Sequence, residues 1–406
     1  MQRASLEFQR NPTGYLLRCA ETLGTVADVT PSATLLTDPR DIAFVLAHTG
    51  DIFSLTHNLL GQPVTERHPA EWNAGRRAVS ASLRPAVETL ALRAISDGFD
   101  RLRDEWPSHP VDDGIDRFER ATGAIIGRVC FGVDAARFDA LTRDVLASLS
   151  EASLKSFDPP RWAPVRIRAA RRARRLRAEI RAAVDDRRAA AGGADLAGLL
   201  IAPDVGGLSP EMASRMLVSV MLAGYGVPAL ALAWTIFLLD KYPQERQKVA
   251  EEVHGAPLDS PHASLPVTDA ATREALRLYP PTWLLARKLL CAQTINGREF
   301  KEGHVFYMSS FLTARNGAYY EHPKAFVPSR WHNEPFIKQL PRYAYFPFGG
   351  GSGFCLGASL ARLEVRMLTA LLVRECRLAV VEPEQVRLSS QRGLRPLNLT
   401  LVRDAW

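Results

Sequence analysis

Residues 212–239 are apolar nearly all the way round, as a helix buried through the centre of a large domain would be. Leu208-Ser209-Pro210-Glu211 opens this run, with Ser209 as cap and Pro210 at the first helical position. Asp38-Pro39-Arg40-Asp41 leads into Ile42-Ala43-Phe44-Val45-Leu46, a second capped helix start. Residues 84–150 read as helices interrupted near Pro107-Ser108-His109-Pro110. From Arg161 to Arg188 arginines crowd an Ala/Leu/Ile stripe, the pattern of an amphipathic helix with a solvated face. A nucleic-acid or anionic-membrane patch would carry the same charge, but no aromatic residues interleave the run for stacking on bases. Gly192-Gly193 and the stretch 203–207 are loop breaks, not domain linkers, because hydrophobic patterning resumes at once.

The chain has 406 residues, 47% of them hydrophobic, enough for a sizeable core. No apolar run reads as long enough to cross a bilayer, and the N-terminus lacks a signal-peptide core, so neither a membrane nor secretion is expected. Five scattered cysteines without a CxxC pair argue against a disulfide framework and suit a reducing cytoplasm. A net charge of +7 permits docking of an acidic redox protein and does not call for nucleic acid.

The candidate chemistry centres on Phe348-Gly349-Gly350-Gly351-Ser352-Gly353-Phe354-Cys355-Leu356-Gly357. This glycine-rich loop must turn tightly and approach something closely before Ala358 starts a helix. A cysteine at that junction faces a helix N-terminus and backbone amides, both of which favour thiolate over thiol. Such a thiolate suits a single axial bond to a metal macrocycle. A glycine-rich turn around a structural cysteine would be the plainer reading of the loop alone.

Phe348-x-x-Gly351-x-x-x-Cys355-x-Gly357 resembles the haem-thiolate signature of the cytochrome P450 family, and the resemblance extends from roughly Trp72 to the C-terminus. It implies a single domain over 1–406, mainly α with a small β lobe drawn from roughly 20–50 and 282–310, around a buried b-type haem with Cys355 on the iron. It also assigns roles. Trp72 and Arg76, four residues apart on one helix face, would reach a haem propionate, although a surface cation–aromatic pair has the same spacing. Arg287 would reach a propionate from the sheet lobe, and Phe348, Gly349, Gly351 and Gly357 would cradle the macrocycle. Glu274-x-x-Arg277 followed by Arg330 resembles the family's buried ion network behind the haem, expected to hold the cysteine loop. The apolar stretch from Thr282 to Ala286 would line the pocket. Gly353 departs from the family, which usually has Arg or His there as a further propionate partner, so Trp72, Arg76 and Arg287 would carry more of the anchoring.

The largest departure lies in the central helix. Met221-Leu222-Ala223-Gly224-Tyr225-Gly226-Val227-Pro228 resembles the family's oxygen-binding helix, where Ala-Gly-x-(Glu/Asp)-Thr is the pattern. Ala223 and Gly224 match; Gly226 stands in place of the acid and Val227 in place of the threonine. Neither can move a proton. Pro228 is expected to bend the helix and free the Gly224 carbonyl, and Tyr225 is expected to be packing.

The resemblance implies a soluble, cytoplasmic, bacterial-type monooxygenase of specialised metabolism acting on a hydrophobic small molecule. A ferredoxin or flavodoxin would supply electrons, docking where Arg362 and Arg366 lie. Two alternatives stay open: a peroxide-driven or non-oxygenating haem-thiolate reaction (coupling, rearrangement, dehydration), and a non-catalytic partner protein of the same fold.

Overall fold

The computed structural model describes residues 7–8, 11–55, 69–86, 90–107, 109–112, 114–132, 136–155, 164–190, 193–260, 263–390 and 393–403. In chain order the helices are α1 Pro12–Leu23, α2 Pro39–Ala47, α3 Pro69–Ala86, α4 Leu92–Asp104, α5 Gly114–Phe131, α6 Ala136–Lys155, α7 Pro164–Ala189, α8 Leu196–Ile201, α9 Pro210–Lys241, α10 Pro243–Val253, α11 Pro266–Leu278, α12 Ser310–Thr313, α13 Glu334–Gln339 and α14 Ala358–Leu371. The strands are β1 Val26–Thr30, β2 Ala33–Leu36, β3 Phe53–Leu55, β4 Leu284–Leu289, β5 Gln293–Ile295, β6 Arg298–Phe300, β7 Val305–Ser309, β8 Leu378–Val381, β9 Arg387–Ser389, β10 Arg395–Leu397 and β11 Thr400–Arg403. The fold is mainly α with small sheets. The chain divides into two compact units, each assembled from several stretches of sequence.

The first unit comprises Met1–Pro69, Arg273–Cys355 and Leu388–Arg395. Its sheet runs β1-β2-β7-β4-β3, with β2 and β7 parallel and the other pairs antiparallel. Edge strand β1 alternates, with Ala27 and Val29 buried, whereas inner β2 is buried at all four positions. In register, Arg287 of β4 lies opposite Leu55 on one side and Phe306 on the other. Asp38 caps α2 by accepting from the Arg40 N–H at 2.8 Å, as its sequence predicts. Ile42, Val45 and Leu46 of this helix bury themselves with Phe53, Phe306, Tyr343 and Phe346. Fully burying such side chains is worth roughly 1.5–3 kcal/mol each, which fixes α2 and the segment preceding the cysteine loop in one core.

The second unit comprises Ala70–Thr272, Leu356–Arg387 and Pro396–Trp406. Its axis is α9, which packs most extensively against α5 and also against α7 and α14. Ser209 caps α9, accepting from Met212 N–H at 3.3 Å with Pro210 at the start, as the sequence predicts. The helical turns are continuous across Pro228. Close packing of α5 on α9 depends on a missing side chain: a Cβ on Gly123 would lie 2.1 Å from the Tyr225 ring. α7 is amphipathic: Val165, Ala169, Ala173, Leu176, Ile180 and Val184 are buried, and its arginines line the opposite face.

One expectation is corrected. α9 is long and apolar enough by composition to span a bilayer, with a mean hydropathy of 1.9 over an 18-residue window. That window is 67% buried inside the protein, the signature of a core helix, which needs apolar residues on every face for the same reason a membrane helix does.

Candidate functional site

The cysteine loop is held by its own backbone and by the end of α2. Cys355 N–H donates to the Phe348 carbonyl at 2.9 Å, Gly349 N–H to Phe346 at 3.0 Å and Phe354 N–H to Gly351 at 3.1 Å. Gly351 has φ +61°, and a Cβ there would lie 1.8 Å from the Leu46 carbonyl oxygen. No residue with a side chain fits. The Ser352 hydroxyl donates to the Thr49 carbonyl, just past α2. The Thr49 hydroxyl in turn donates to Val45 O at 3.0 Å and accepts from Arg287 Nε at 3.0 Å. Arg287 is buried, with Nη1 donating to Ala286 O at 2.9 Å. Gly357 caps α14.

Burial separates the five cysteines. Cys19, Cys130 and Cys376 are buried, and desolvation pushes all three thiols up, Cys376 to about 11. Those thiols stay protonated and inert. Cys355 is exposed at the head of α14, beside half-buried Phe348 and exposed Phe354. Cys291 is also exposed, in the turn between β4 and β5, without a glycine cradle.

Behind the loop, within the first unit, Glu274 is 0% exposed and Arg277 1%. The Glu274 carboxylate accepts from Arg277 Nε (2.9 Å) and Nη2 (2.8 Å), Arg330 Nε (3.0 Å), Trp331 Nε1 (2.9 Å) and Val327 N–H (3.0 Å). Arg277 spends further N–H donors on the carbonyls of Ala314, Pro323 and Ala325. A buried ion cluster is tolerable only when paired this fully. Its grip on the loop is through aromatics: Trp331 lies 4.8 Å from the Tyr345 ring and Tyr320 OH donates to Ala344 O at 3.0 Å. Arg273 stacks on both Trp331 and Tyr345, at 4.1 and 5.4 Å.

In the second unit, Ala223 and Val227 are exposed although the neighbouring positions on α9 are largely buried, and Val227 reaches 42%. Their i, i+4 spacing makes one apolar stripe, flanked by half-exposed Gly224 and Gly226. A Cβ on Gly224 would lie 2.6 Å from Ile126 of α5, so that glycine serves helix packing. Tyr225 points the other way, buried, its hydroxyl donating to Asp139 Oδ1 at 2.9 Å. Burial and Asp139 push this phenol above its ordinary range. The Thr122 hydroxyl donates to the Tyr225 carbonyl. Arg76 is half-buried on α3; Trp72 lies on the same helix, its side chain outside the described residues.

The cysteine loop fits a haem: it presents an exposed thiol, the soft donor that a haem iron takes, at the end of a glycine-rich turn. The second unit separately carries the exposed apolar stripe of Ala223 and Val227 on an otherwise buried helix. Among the described residues no three His, Cys, Asp or Glu side chains form a metal cage.

Sequence reasoning missed Thr49, Ser352 and the indole of Trp331. Their partners lie up to 303 residues away in the chain, and no local spacing signals them.

The sequence profile of the family described as cytochrome P450 matches residues 6–401. The cyclooctat-9-en-7-ol 5-monooxygenase of Streptomyces melanosporofaciens is 26% identical over 350 residues, 82% of this chain and 76% of that protein. The pentalenene oxygenase of Streptomyces avermitilis is 30% identical over 190 residues, 45% of this chain and only 42% of that protein. Among solved structures, retinoic acid bound cyanobacterial CYP120A1 superposes with a TM-score of 0.75 at 18% identity, covering 95% of this chain and 92% of that one.

Proposed function

Because the chain belongs to the cytochrome P450 family, we propose that it is a haem-thiolate monooxygenase that oxygenates a hydrophobic small molecule in specialised metabolism. The family makes it an oxidoreductase that binds haem through a cysteine thiolate. The observation that carries the assignment of Cys355 is its exposed sulfur on a loop whose Gly351 admits no side chain. We read the two units as one functional domain and the cofactor as haem b.

When bound, the haem would activate dioxygen, one atom going to substrate and the other to water with two electrons and two protons. Cys355 would hold the iron, with Phe348, Gly349, Gly351 and Gly357 shaping its loop. Arg287 and Arg76 would neutralise the propionates, the first kept oriented by Thr49, and Trp72 would donate its indole N–H to one of them. Glu274, Arg277 and Arg330 would keep the loop rigid, so that the sulfur is positioned before the iron arrives. Ala223, Gly224, Gly226 and Val227 would line the oxygen-binding side and exclude water. The relatives named for cyclooctat-9-en-7-ol and pentalenene support a hydrocarbon-rich substrate. Electrons would come from a ferredoxin or flavodoxin near Arg362 and Arg366, in the cytoplasm.

A second reading rests on Gly226 and Val227. Neither side chain relays protons, and peroxide would bring its own protons and both electrons. One experiment separates the readings. The reduced protein under carbon monoxide should show the red-shifted Soret band of a thiolate haem, and hydrophobic ligands should shift the ferric spin state. Product should then form with dioxygen and a ferredoxin–reductase pair. Product with peroxide alone would select the second reading, and a colourless protein after haem supplementation would defeat both.

A further inference from the structure

The helix crossing between α5 and α9 contains three glycines, and they are not equivalent. Gly123 and Gly224 are dictated by packing, since a Cβ on either would lie 2.1 Å from Tyr225 and 2.6 Å from Ile126 respectively. Gly226 is not. A Cβ there would meet only Glu119 of α5, with Oε1 at 3.7 Å and the carboxyl carbon at 4.0 Å, an ordinary contact. Alanine would fit, so sterics give no reason for a bare backbone in the one turn where the family carries an acid.

The helical step of about 100° per residue places position 226 on the flank of α9, between the exposed stripe of Val227 and the buried back of Tyr225. Glu119 is half-buried and lies against that flank. Its carboxylate is therefore close to where the missing acid's own side chain would begin. It is also set in a polar group reaching to the surface. Thr122 accompanies it one turn on, and Tyr225, whose phenol feels the Glu119 charge, bonds to Asp139, which pairs with Arg143 at 3.1 Å. Asp116 and Arg120 flank it on its own helix.

Resting on the monooxygenase reading above, we propose that Glu119 supplies the acid that α9 lacks: it passes protons, through a water held at the bare backbone of Gly226, to the dioxygen being reduced beside the stripe of Ala223 and Val227, and the second oxygen atom leaves as water. In each transfer the carboxyl gives one proton to that water and regains one from solvent, ending unchanged, and two transfers meet the need of one turnover. Glycine at 226 is then a window: a side chain there would displace the water that the carboxylate must reach.

The test uses the haem-loaded protein. In Glu119→Gln, the ratio of dioxygen-driven to peroxide-driven turnover should fall about tenfold or more, because peroxide brings its own protons. Adding Gly226→Asp to that variant should restore much of the ratio, returning the acid to α9. Gly226→Val, which keeps Glu119 and blocks the window, should lower the ratio as Glu119→Gln does. Without turnover, carbon monoxide binding to the reduced native protein should produce a carboxyl signal in the infrared difference spectrum that Glu119→Gln removes. An unchanged ratio and an unchanged carboxyl signal in a folded Glu119→Gln protein would overturn the proposal while leaving the monooxygenase reading intact. If that variant does not fold, an unchanged ratio in Gly226→Val does the same. A native protein without the thiolate Soret band would instead remove the monooxygenase reading itself.

Discussion

Arg287 donates from Nε to the hydroxyl of Thr49 at 3.0 Å, and the carbonyl of that same threonine accepts from Ser352 in the cysteine loop. One buried residue just past α2 thus ties a candidate propionate-binding arginine to the loop that carries the candidate iron ligand. Thr49→Val removes the hydroxyl and keeps the shape. It should cost about 1.5–3 kcal/mol, as a buried hydrogen bond to a charged group does. The checks are the denaturant midpoint and the rate of haem loss to an acceptor protein, which should rise.

Gly351→Ala should be far more damaging. Its φ of +61° disfavours any L side chain, and the new methyl would meet the Leu46 carbonyl oxygen at 1.8 Å. Relieving that clash requires moving either α2 or the loop. A loss of at least about 3 kcal/mol is expected, with no thiolate Soret band under carbon monoxide in whatever protein folds.

Glu274→Gln leaves two buried guanidinium groups without their carboxylate. Breaking one member of a buried ion group costs about 3–5 kcal/mol, because the remaining charge is uncompensated. The melting temperature should fall and haem uptake should weaken together. Retention of both would mean that the loop does not depend on this cluster.

Glu364 of α14 gives a pH dependence of unusual sign. It is fully buried, its Oε1 has no hydrogen-bond partner among the described residues, and desolvation raises its pKa well above the ordinary carboxylate range. The folded protein therefore holds a proton that the unfolded chain releases, and stability falls as pH rises above the unfolded value towards the folded one. Glu364→Gln should flatten that fall. Its stability relative to the native protein should grow as pH rises above the ordinary carboxylate range, measured by denaturant midpoints.

Val227→Phe tests the exposed stripe. Val227 is 42% exposed, so folding stability should change by no more than about 0.5 kcal/mol. Hydrophobic ligands should lose at least part of their effect on the ferric spin state, because the larger ring occupies space they would use. Unchanged ligand titrations would place the substrate elsewhere.

Patterns carried by neighbouring residues were legible in the sequence. The caps at Asp38 and Ser209, the all-round apolar run that became α9, the striped α7 and the spacing of Glu274 to Arg277 all depend on contacts within one or two turns, which composition and period encode directly. The glycine loop before Cys355 was readable because its conformation excludes other residues. The role of α9 as a buried core helix was legible, but its length and apolarity also meet what a bilayer asks for, since both environments call for the same residues.

By itself, then, the sequence pointed to the family and to the mainly helical architecture, and it singled out Cys355 as the candidate for an iron. Only the tertiary structure decided that Thr49 links Arg287 to Ser352, that Trp331 completes the Glu274 cluster, and that Glu119 lies against the bare Gly226. The physical reason is chain separation. Periodicity reports which face of an element is buried, but not which distant side chain will meet it, because that choice is made by packing and by the pairing of buried polar groups.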